Sequence, residues 1–404
     1  MRVSTCGVGA VLLLLVALPG GAGAAAEPGA DRVIVEHTAQ AVAGEYIVTV
    51  KPAFSPDAVL RELGVRPLFT YGTALHGFAA ALTALQLRLA RALPAVEAIE
   101  ENGQVSLNSA PADRGGSAVA TRESGAGSEV APASWGLDRI DQRSLPLDDR
   151  FTVTGTGRGV TAYILDTGIE TGHAEFEGRA TVGFDAVGDG HGGQDCHSHG
   201  THVAGTVGGK TYGVARGVSL VAVRVLDCTG DGTTAQTLAG LDWIATHAQH
   251  PAVLNASVGD PASPALDTAT NAVADAGVLP VVSAGNDAED ACAASPARAQ
   301  KALAVGATDR QDHQAGFSNY GPCLSLYAPG VNIVSARLGG GSRTLSGTSM
   351  ASPHAAGAAA LLLAQDPRAT AQDIARRLTD TATTGAVVSP GTDSPDRLLY
   401  VGEL

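Results

Sequence analysis

Four residues of this chain are of types that together can break an acyl bond: Asp166, His199, Asn286 and Ser349. A serine hydroxyl attacks a carbonyl when a histidine takes its proton and a carboxylate orients the ring and stabilises its charged form. A side-chain amide, with a backbone N–H at a helix N-terminus, can hold the oxyanion that develops. Ser349 lies in SGTSMASPH (346–354), which the apolar run AAGAAALLLA continues as a buried helix. Each residue alone has a plainer reading. A Ser or Thr before an apolar helix is an N-cap, Asp166 a strand-end cap, His199 a surface histidine and Asn286 a turn former. Their placement decides.

The elements that must position them begin at Trp135. GVTAYIL (159–165), VSLVAVRVL (218–226), AVLNASV (252–258), VLPVVSA (278–284) and KALAVGA (301–307) are near-continuous apolar runs, the mark of strands buried on both faces. Helical patterns at 199–209, 234–249, 265–277, from Ser349 onward and at 366–382 alternate with them, the last with a capping box in Thr370 and Asp373. An α/β domain follows, a parallel sheet with helices on both faces. In such a sheet the strand C-termini and the next helix N-termini share one edge. Asp166 ends a strand, Asn286 follows one, and His199 and Ser349 open helices. All four fall on that edge.

Upstream, residues 44–107 alternate as β-α-β-β-α-β, the split βαβ pattern of a small α+β unit. Residues 108–134 are rich in Ser, Ala, Gly and Pro, without an aromatic, and read as an exposed linker. Residues 1–26 carry Arg2, the apolar VLLLLVAL (11–18) and small residues at 22–26, a secretory signal peptide whose apolar run is too short to span a bilayer. The expected location is extracellular, with no membrane anchor after signal removal. Cys6 leaves with the signal; Cys196, Cys228, Cys292 and Cys323 form an even set, expected as two disulfides with three pairings open. A net charge of −14 without a basic face excludes a nucleic-acid binder, and 404 residues with 45% hydrophobic content suffice for a sizeable core.

YILDTGI (163–169), HGTHVAGT (199–206), SAGN (283–286) and SGTSMASPH resemble the sequence blocks of the subtilisin-like serine proteases, in that family's order of Asp, His and Ser. WGLDRIDQR (135–143), GFSNYG (316–321) and the cysteine positions are similar to the secreted proteinase K and aqualysin-type branch. Residues 44–107 resemble its inhibitory prosegment. The resemblance implies a catalytic domain over 135–404 with Ser349 as nucleophile, His199 as base then acid, Asp166 as its partner and Asn286 as oxyanion donor. It implies a monomeric endopeptidase of broad specificity leaning to apolar and aromatic side chains, with no cofactor in catalysis. Polypeptide substrates would lie as an added strand between Gly230–Thr234 (with Gly230, Gly232 and Thr233) and Ser257, Val258 and Gly259, with Ser283, Ala284 and Gly285 as the other pocket wall. It also implies the pairs Cys196–Cys228 and Cys292–Cys323, self-cleavage between about residues 105 and 130, and inhibition by the chain's own prosegment.

Departures from the family pattern are Asp260 in place of a glycine beside the pocket, His197-Ser198 before the catalytic histidine, and Ser325 at a calcium-binding aspartate. One structural calcium maps to Asp138, Asp141, Gln142 and Asp148, all oxygen donors, with Arg150 standing where a further ligand is expected. Competing readings are weaker. His197, His199 and His202 have a zinc-like spacing but Thr201 replaces the acid that two-zinc hydrolases need. GTGRG (155–159) precedes its strand, unlike a dinucleotide fingerprint. No G-x-S-x-G elbow surrounds Ser349, against an α/β-hydrolase esterase. A catalytically dead binding protein of this fold would not need all four residues.

Overall fold

The computed structural model describes residues 33–107 and 133–404, apart from the Asp260 side chain. The signal segment 1–26 and linker residues 108–132 lie outside the described residues. In the N-terminal part, β1 (Val35–Glu36), β2 (Ala41–Val50), α1 (Pro56–Leu63), β3 (Phe69–Tyr71), β4 (Gly77–Ala81), α2 (Ala84–Ala90) and β5 (Val96–Ser106) form a sheet of order β1-β5-β2-β4-β3. The expected β-α-β-β-α-β order holds from β2 to β5, with the short β1 added in parallel to β5. Alternation along each strand divides the side chains. Val48, Phe78, Ala80 and Ile99 pack on Val59, Leu60 and Leu63 of α1, whereas Ile47, Tyr71, Ala79 and Val105 face the larger domain and join its core.

The larger domain follows with α3 (Trp135–Ile140), β6 (Thr161–Asp166), β7 (Ala180–Asp185), α4 (His199–Gly208), β8 (Ser219–Arg224), β9 (Asp231–Thr233), α5 (Thr234–His247), β10 (Ala252–Ala256), β11 (Asp260–Pro261) and α6 (Pro264–Asp275). It ends with β12 (Val278–Ser283), β13 (Ala294–Ser295), β14 (Leu303–Thr308), β15 (Leu326–Pro329), β16 (Ile333–Ala336), β17 (Ser342–Leu345), α7 (Thr348–Gln365), α8 (Ala371–Thr381), β18 (Thr383–Thr384) and β19 (Arg397–Leu398). The central sheet runs β18-β19-β15-β14-β12-β10-β6-β8-β7, and every pair from β15 to β7 is parallel. Ala162 and Ile164 point into a core shared with α4 and α7, while Tyr163 and Leu165 point into one shared with α5 and α6. Helices therefore cover both faces, as the apolar runs predicted.

β7 and β15 of the central sheet are among the strands that escape the apolar-run signal. β7 is an edge strand, ATVGFD, whose Thr181 and Val182 are exposed, so it carries no continuous apolar run. β15 has only four residues before Gly330. The last predicted helix starts at Ala371 rather than at 366, because Thr370 caps it: its Oγ1 accepts from Asp373 N at 3.1 Å, while Asp373 Oδ2 accepts from Thr370 N at 3.2 Å.

Candidate active site

Asp166 is the last residue of β6, and His199 the first of α4. His199 Nδ1 donates to the Asp166 carboxylate, 2.8 Å from Oδ1 and 2.9 Å from Oδ2. A carboxylate only accepts, so Nδ1 carries a proton, which leaves Nε2 as the ring nitrogen that faces away from Asp166. Asp166 Oδ1 also accepts the Thr167 amide at 2.7 Å, which holds the carboxylate in place. Asp166 is wholly buried, so the pair is shielded from solvent.

A second carboxylate sets the loop that delivers His199. Asp195 accepts from the amides of His197, Ser198 and Thr201 at 2.9 Å each, from Thr201 Oγ1 at 2.6 Å and from Thr167 Oγ1 at 2.9 Å. Thr167 Oγ1 in turn accepts from Gly200 N at 3.0 Å. The residue after Asp166 and those around His199 are thus tied through one buried group. Ser198 takes a left-handed conformation, φ 88°, to turn the chain into α4. Cys196 and Cys228 form a disulfide that anchors the same loop, and Cys292 and Cys323 form a second.

Ser349 is the second residue of α7, whose N-cap is Gly347 without a side-chain cap bond. The capping reading of Ser349 therefore fails. Ser346 accepts the Asn332 amide at 2.9 Å instead of capping α7. Ser349 Oγ points to the Ser257 carbonyl at 3.4 Å, and no hydrogen bond joins it to His199 among the described residues. Catalytic contacts of this kind commonly tighten only around a bound substrate. Asn286 stands opposite. Its Oδ1 accepts from Thr348 N at 2.9 Å and from Thr348 Oγ1 at 3.0 Å, so the amide is turned with Nδ2 as its donor end.

The expected substrate segments line the same edge. Gly230 and β9 form one rim, and Ser257 is locked by Asn255 Nδ2 at 2.8 Å and Ser352 Oγ at 3.1 Å. Ser283 Oγ reaches the Val258 carbonyl at 3.5 Å, closing the two walls toward each other. Gly285 takes φ +103°, and a Cβ there would meet Asn319 Nδ2 at 2.3 Å, so only glycine fits. Asn319 wedges that wall: Nδ2 donates to Ala284 O at 3.0 Å, and Oδ1 accepts Asp287 N at 3.0 Å and Glu289 N at 3.1 Å. Gly259 precedes β11, whose Asp260 pairs with Ser295; the Asp260 side chain is outside the described residues.

Three positioning residues were missed from the sequence: Thr348, Asn319 and Asp195. Thr348 and Asn319 lie inside the quoted motifs SGTSMASPH and GFSNYG, so the signal was present but not read by residue. The zinc alternative does not survive. His202 is fully buried and its Nε2 donates to Ile333 O at 3.1 Å. Burial, with repulsion from His199, pushes its imidazole down to about 3. Among the described residues the compact metal-type cluster is instead Asp189, His191, Cys196 and Cys228, whose cysteines are bonded to each other and whose Asp189 is paired with Arg224 at 2.7 Å.

The expected calcium site is assembled from α3 and the loop after it. Asp138 accepts the amides of Asp148 and Asp149 at 3.3 and 3.0 Å, and Gln142 Oε1 accepts Asp148 N at 3.2 Å. Asp141 Oδ2 accepts Thr152 N at 2.6 Å, while its buried Oδ1 has no partner among the described residues. Burial, with repulsion from Asp138 and Asp148, raises the Asp141 carboxyl to about 6. An orphaned oxygen among mutually repelling carboxylates and an amide oxygen fits a hard divalent cation.

Residues 157–398 match the subtilase family model. The chain is 55% identical over 272 residues to an extracellular serine proteinase of Thermus sp. (strain Rt41A), covering 67% of this chain and 66% of that protein. It is 43% identical over 341 residues to alkaline serine exoprotease A of Vibrio alginolyticus, covering 84% of this chain and 61% of the exoprotease. It is 35% identical over 400 residues to a cuticle-degrading protease of Metarhizium anisopliae, covering 97% of this chain and 98% of the protease. The chain thus spans about two thirds or less of the first two relatives and nearly all of the third. The crystal structure of a cold-adapted subtilisin-like serine proteinase superposes with a TM-score of 0.66 at 46% identity, over 68% of this chain and 99% of that one. The chain belongs to the subtilase family, and its larger domain is a serine endopeptidase domain of that family.

Proposed function

We propose that the whole protein is a secreted, monomeric serine endopeptidase, made as a self-processing precursor and cutting polypeptides through an acyl-enzyme. One observation carries this reading: Asp166 and His199 are hydrogen-bonded on the sheet edge where Ser349 opens α7 and Thr348 orients the Asn286 amide. Ser349 Oγ attacks the scissile carbonyl while His199 Nε2 takes its proton, and Asp166 stabilises the imidazolium. The oxyanion meets Asn286 Nδ2 and the Ser349 backbone N–H, whose orientation is set before substrate arrives. His199 then protonates the leaving amine, and water releases the acyl group by the reverse route. The small wall Ser283, Ala284 and Gly285 suits broad specificity with apolar and aromatic side chains. A serine-directed fluorophosphonate should label the wild-type protein and leave Ser349→Ala unlabelled; labelling of both refutes the assignment.

Residues 44–107 are proposed as the inhibitory prosegment. Val33–Leu404 is one compact unit, and β5 continues as a strand added to β9, with Gln104, Val105 and Ser106 opposite Thr233, Gly232 and Asp231. Leu107 N donates to Gly230 O at 2.9 Å. The tail thus lies along the expected substrate rim, and a strand bound there excludes a substrate strand. Helix N-termini hold the rest: Asn102 Oδ1 accepts Ala235 N of α5 at 2.9 Å, and Glu100 accepts Ala265 N of α6 at 2.8 Å and the Oγ of its N-cap Ser263 at 2.7 Å. Asp242 accepts the amides of Thr73 and Ala74 at 2.7 Å each.

Burial raises the Glu100 carboxyl above its ordinary 4.5, against the Ser263 and Ala265 hydrogen bonds. A carboxyl with a higher pKa docked than released favours docking in acid, and that contribution is lost as pH rises above 4.5 and through the docked value. Inhibition by added 33–107, which has its own core, should weaken with rising pH. Comparing its inhibition constant with that of the Glu100→Gln segment cancels the enzyme's own titration. A ratio that does not change with pH rejects the effect.

A structural calcium is proposed at Asp138, Asp141, Gln142 and Asp148, where it would neutralise the crowded carboxylates. Because Asp141 titrates near 6, its ionisation destabilises the metal-free site as pH rises through that value. Added Ca²⁺ should therefore raise the melting temperature more at pH 8 than at pH 5, and Asp141→Asn should remove most of that gain. An equal shift in the variant would place the calcium elsewhere.

A further inference from the structure

The docked tail also carries an imprint of what the groove selects, and this inference rests on the endopeptidase reading above. In the β5–β9 pairing the residues facing the protein and those facing outward alternate. Val105 is buried with Leu226, Ala235 and Leu238, and Leu107 Cδ1 lies 3.0 Å from where a Gly230 Cβ would stand, beside His197. Gly230, having no Cβ, leaves the space that the Leu107 side chain needs. Ser106 faces the other way, directly opposite Asp231, and its Oγ donates to Asp231 Oδ1 at 2.6 Å. Cross-strand neighbours of this kind interact through their side chains.

Asp231 is built for that contact. Its Oδ2 accepts from Thr229 Oγ1 at 2.8 Å, and its amide donates to Asp227 Oδ1 at 3.1 Å, so the carboxylate is held at the rim by its own turn. Asp227 places a second negative charge behind it. Neither carboxylate forms a salt bridge with a cation among the described residues; Arg224 is spent on Asp185 and Asp189. The rim is an uncompensated acidic spot facing one substrate position.

We infer that Asp231 is a specificity-determining residue: it selects, at the substrate position that Ser106 takes, a cationic or hydrogen-bond-donating side chain over an acidic one. The favoured substrates are polypeptides with a basic residue there and apolar residues on either side, at the places of Val105 and Leu107.

The test uses the wild-type chain after its working sites have been counted by fluorophosphonate labelling. Quenched peptides with the sequence of residues 102–113 carry Arg, Lys, Ser, Ala or Glu at position 106, and cleavage is mapped by mass spectrometry. For exposed charges kcat/KM should be about three- to fivefold higher with Arg or Lys than with Ala, and lower with Glu by a similar factor. Raising the salt to about 1 M should compress this range, since the Debye length falls to about 3 Å. Asp231→Asn should bring the Arg and Glu peptides within about twofold of each other, read as the ratio of their kcat/KM values within one preparation of the variant. The salt arm needs no variant, so a misfolded Asp231→Asn does not rescue the inference. Labelled enzyme that cuts all five peptides alike overturns it and leaves the endopeptidase reading standing. A chain that neither labels nor cuts overturns both.

Discussion

Ser349→Ala is expected to lower turnover of a peptide substrate roughly a million-fold, the scale on which one member of such a catalytic unit fails. The fold should survive. The hydroxyl makes only the long 3.4 Å contact to Ser257 O, so its removal takes little from the packing of α7. Because the same serine is proposed to cut the chain's own linker, the variant expressed in a protease-free host should accumulate with residues 44–107 still attached. Wild type should appear as a form beginning near the end of 108–134. The control is Ser346→Ala, whose Oγ serves the Asn332 amide and should leave turnover near wild type. Two results would sink the scheme: normal processing of Ser349→Ala in that host, or turnover within tenfold of wild type.

The next largest effect is expected at Asn286. Asn286→Ala removes the side-chain donor for the oxyanion and should lower kcat by about 10²–10³-fold with little change in KM. The reason for a kcat effect is that the donor meets charge which exists only in the transition state. Thr348→Val is the informative companion. It removes Oγ1 and keeps the backbone N–H, so one of the two bonds that hold Asn286 Oδ1 is lost and the amide is less firmly turned. A fall in kcat smaller than that of Asn286→Ala, and absent when added to it, would mark Thr348 as acting through Asn286. Steady-state kinetics on the single and double variants decide this. If Asn286→Ala raises KM and spares kcat, the amide binds substrate and does not stabilise the oxyanion.

Much of this architecture was legible before any coordinates. Apolar runs buried on both faces marked β6, β8, β10, β12 and β14, and the small-residue and capping signals marked α4, α7 and α8. Those are local properties, set by side-chain period and by what a strand or helix end tolerates, so sequence alone determined that Asp166, His199, Asn286 and Ser349 share one edge. Pairings that span long chain distances were not legible. The turning of Asn286 by Thr348, the wedge of Asn319 against Gly285 and the tie from Asp195 to Thr167 depend on segments that only packing brings together. Edge strand β7 hid because half of it faces solvent, and β5 runs as far as Ser106 because β9 supplies the partner for its last backbone groups. Hydrogen bonds between backbones so far apart in sequence leave no periodic trace in either segment. Period and end signals decide which elements form, and tertiary structure decides which polar atoms meet.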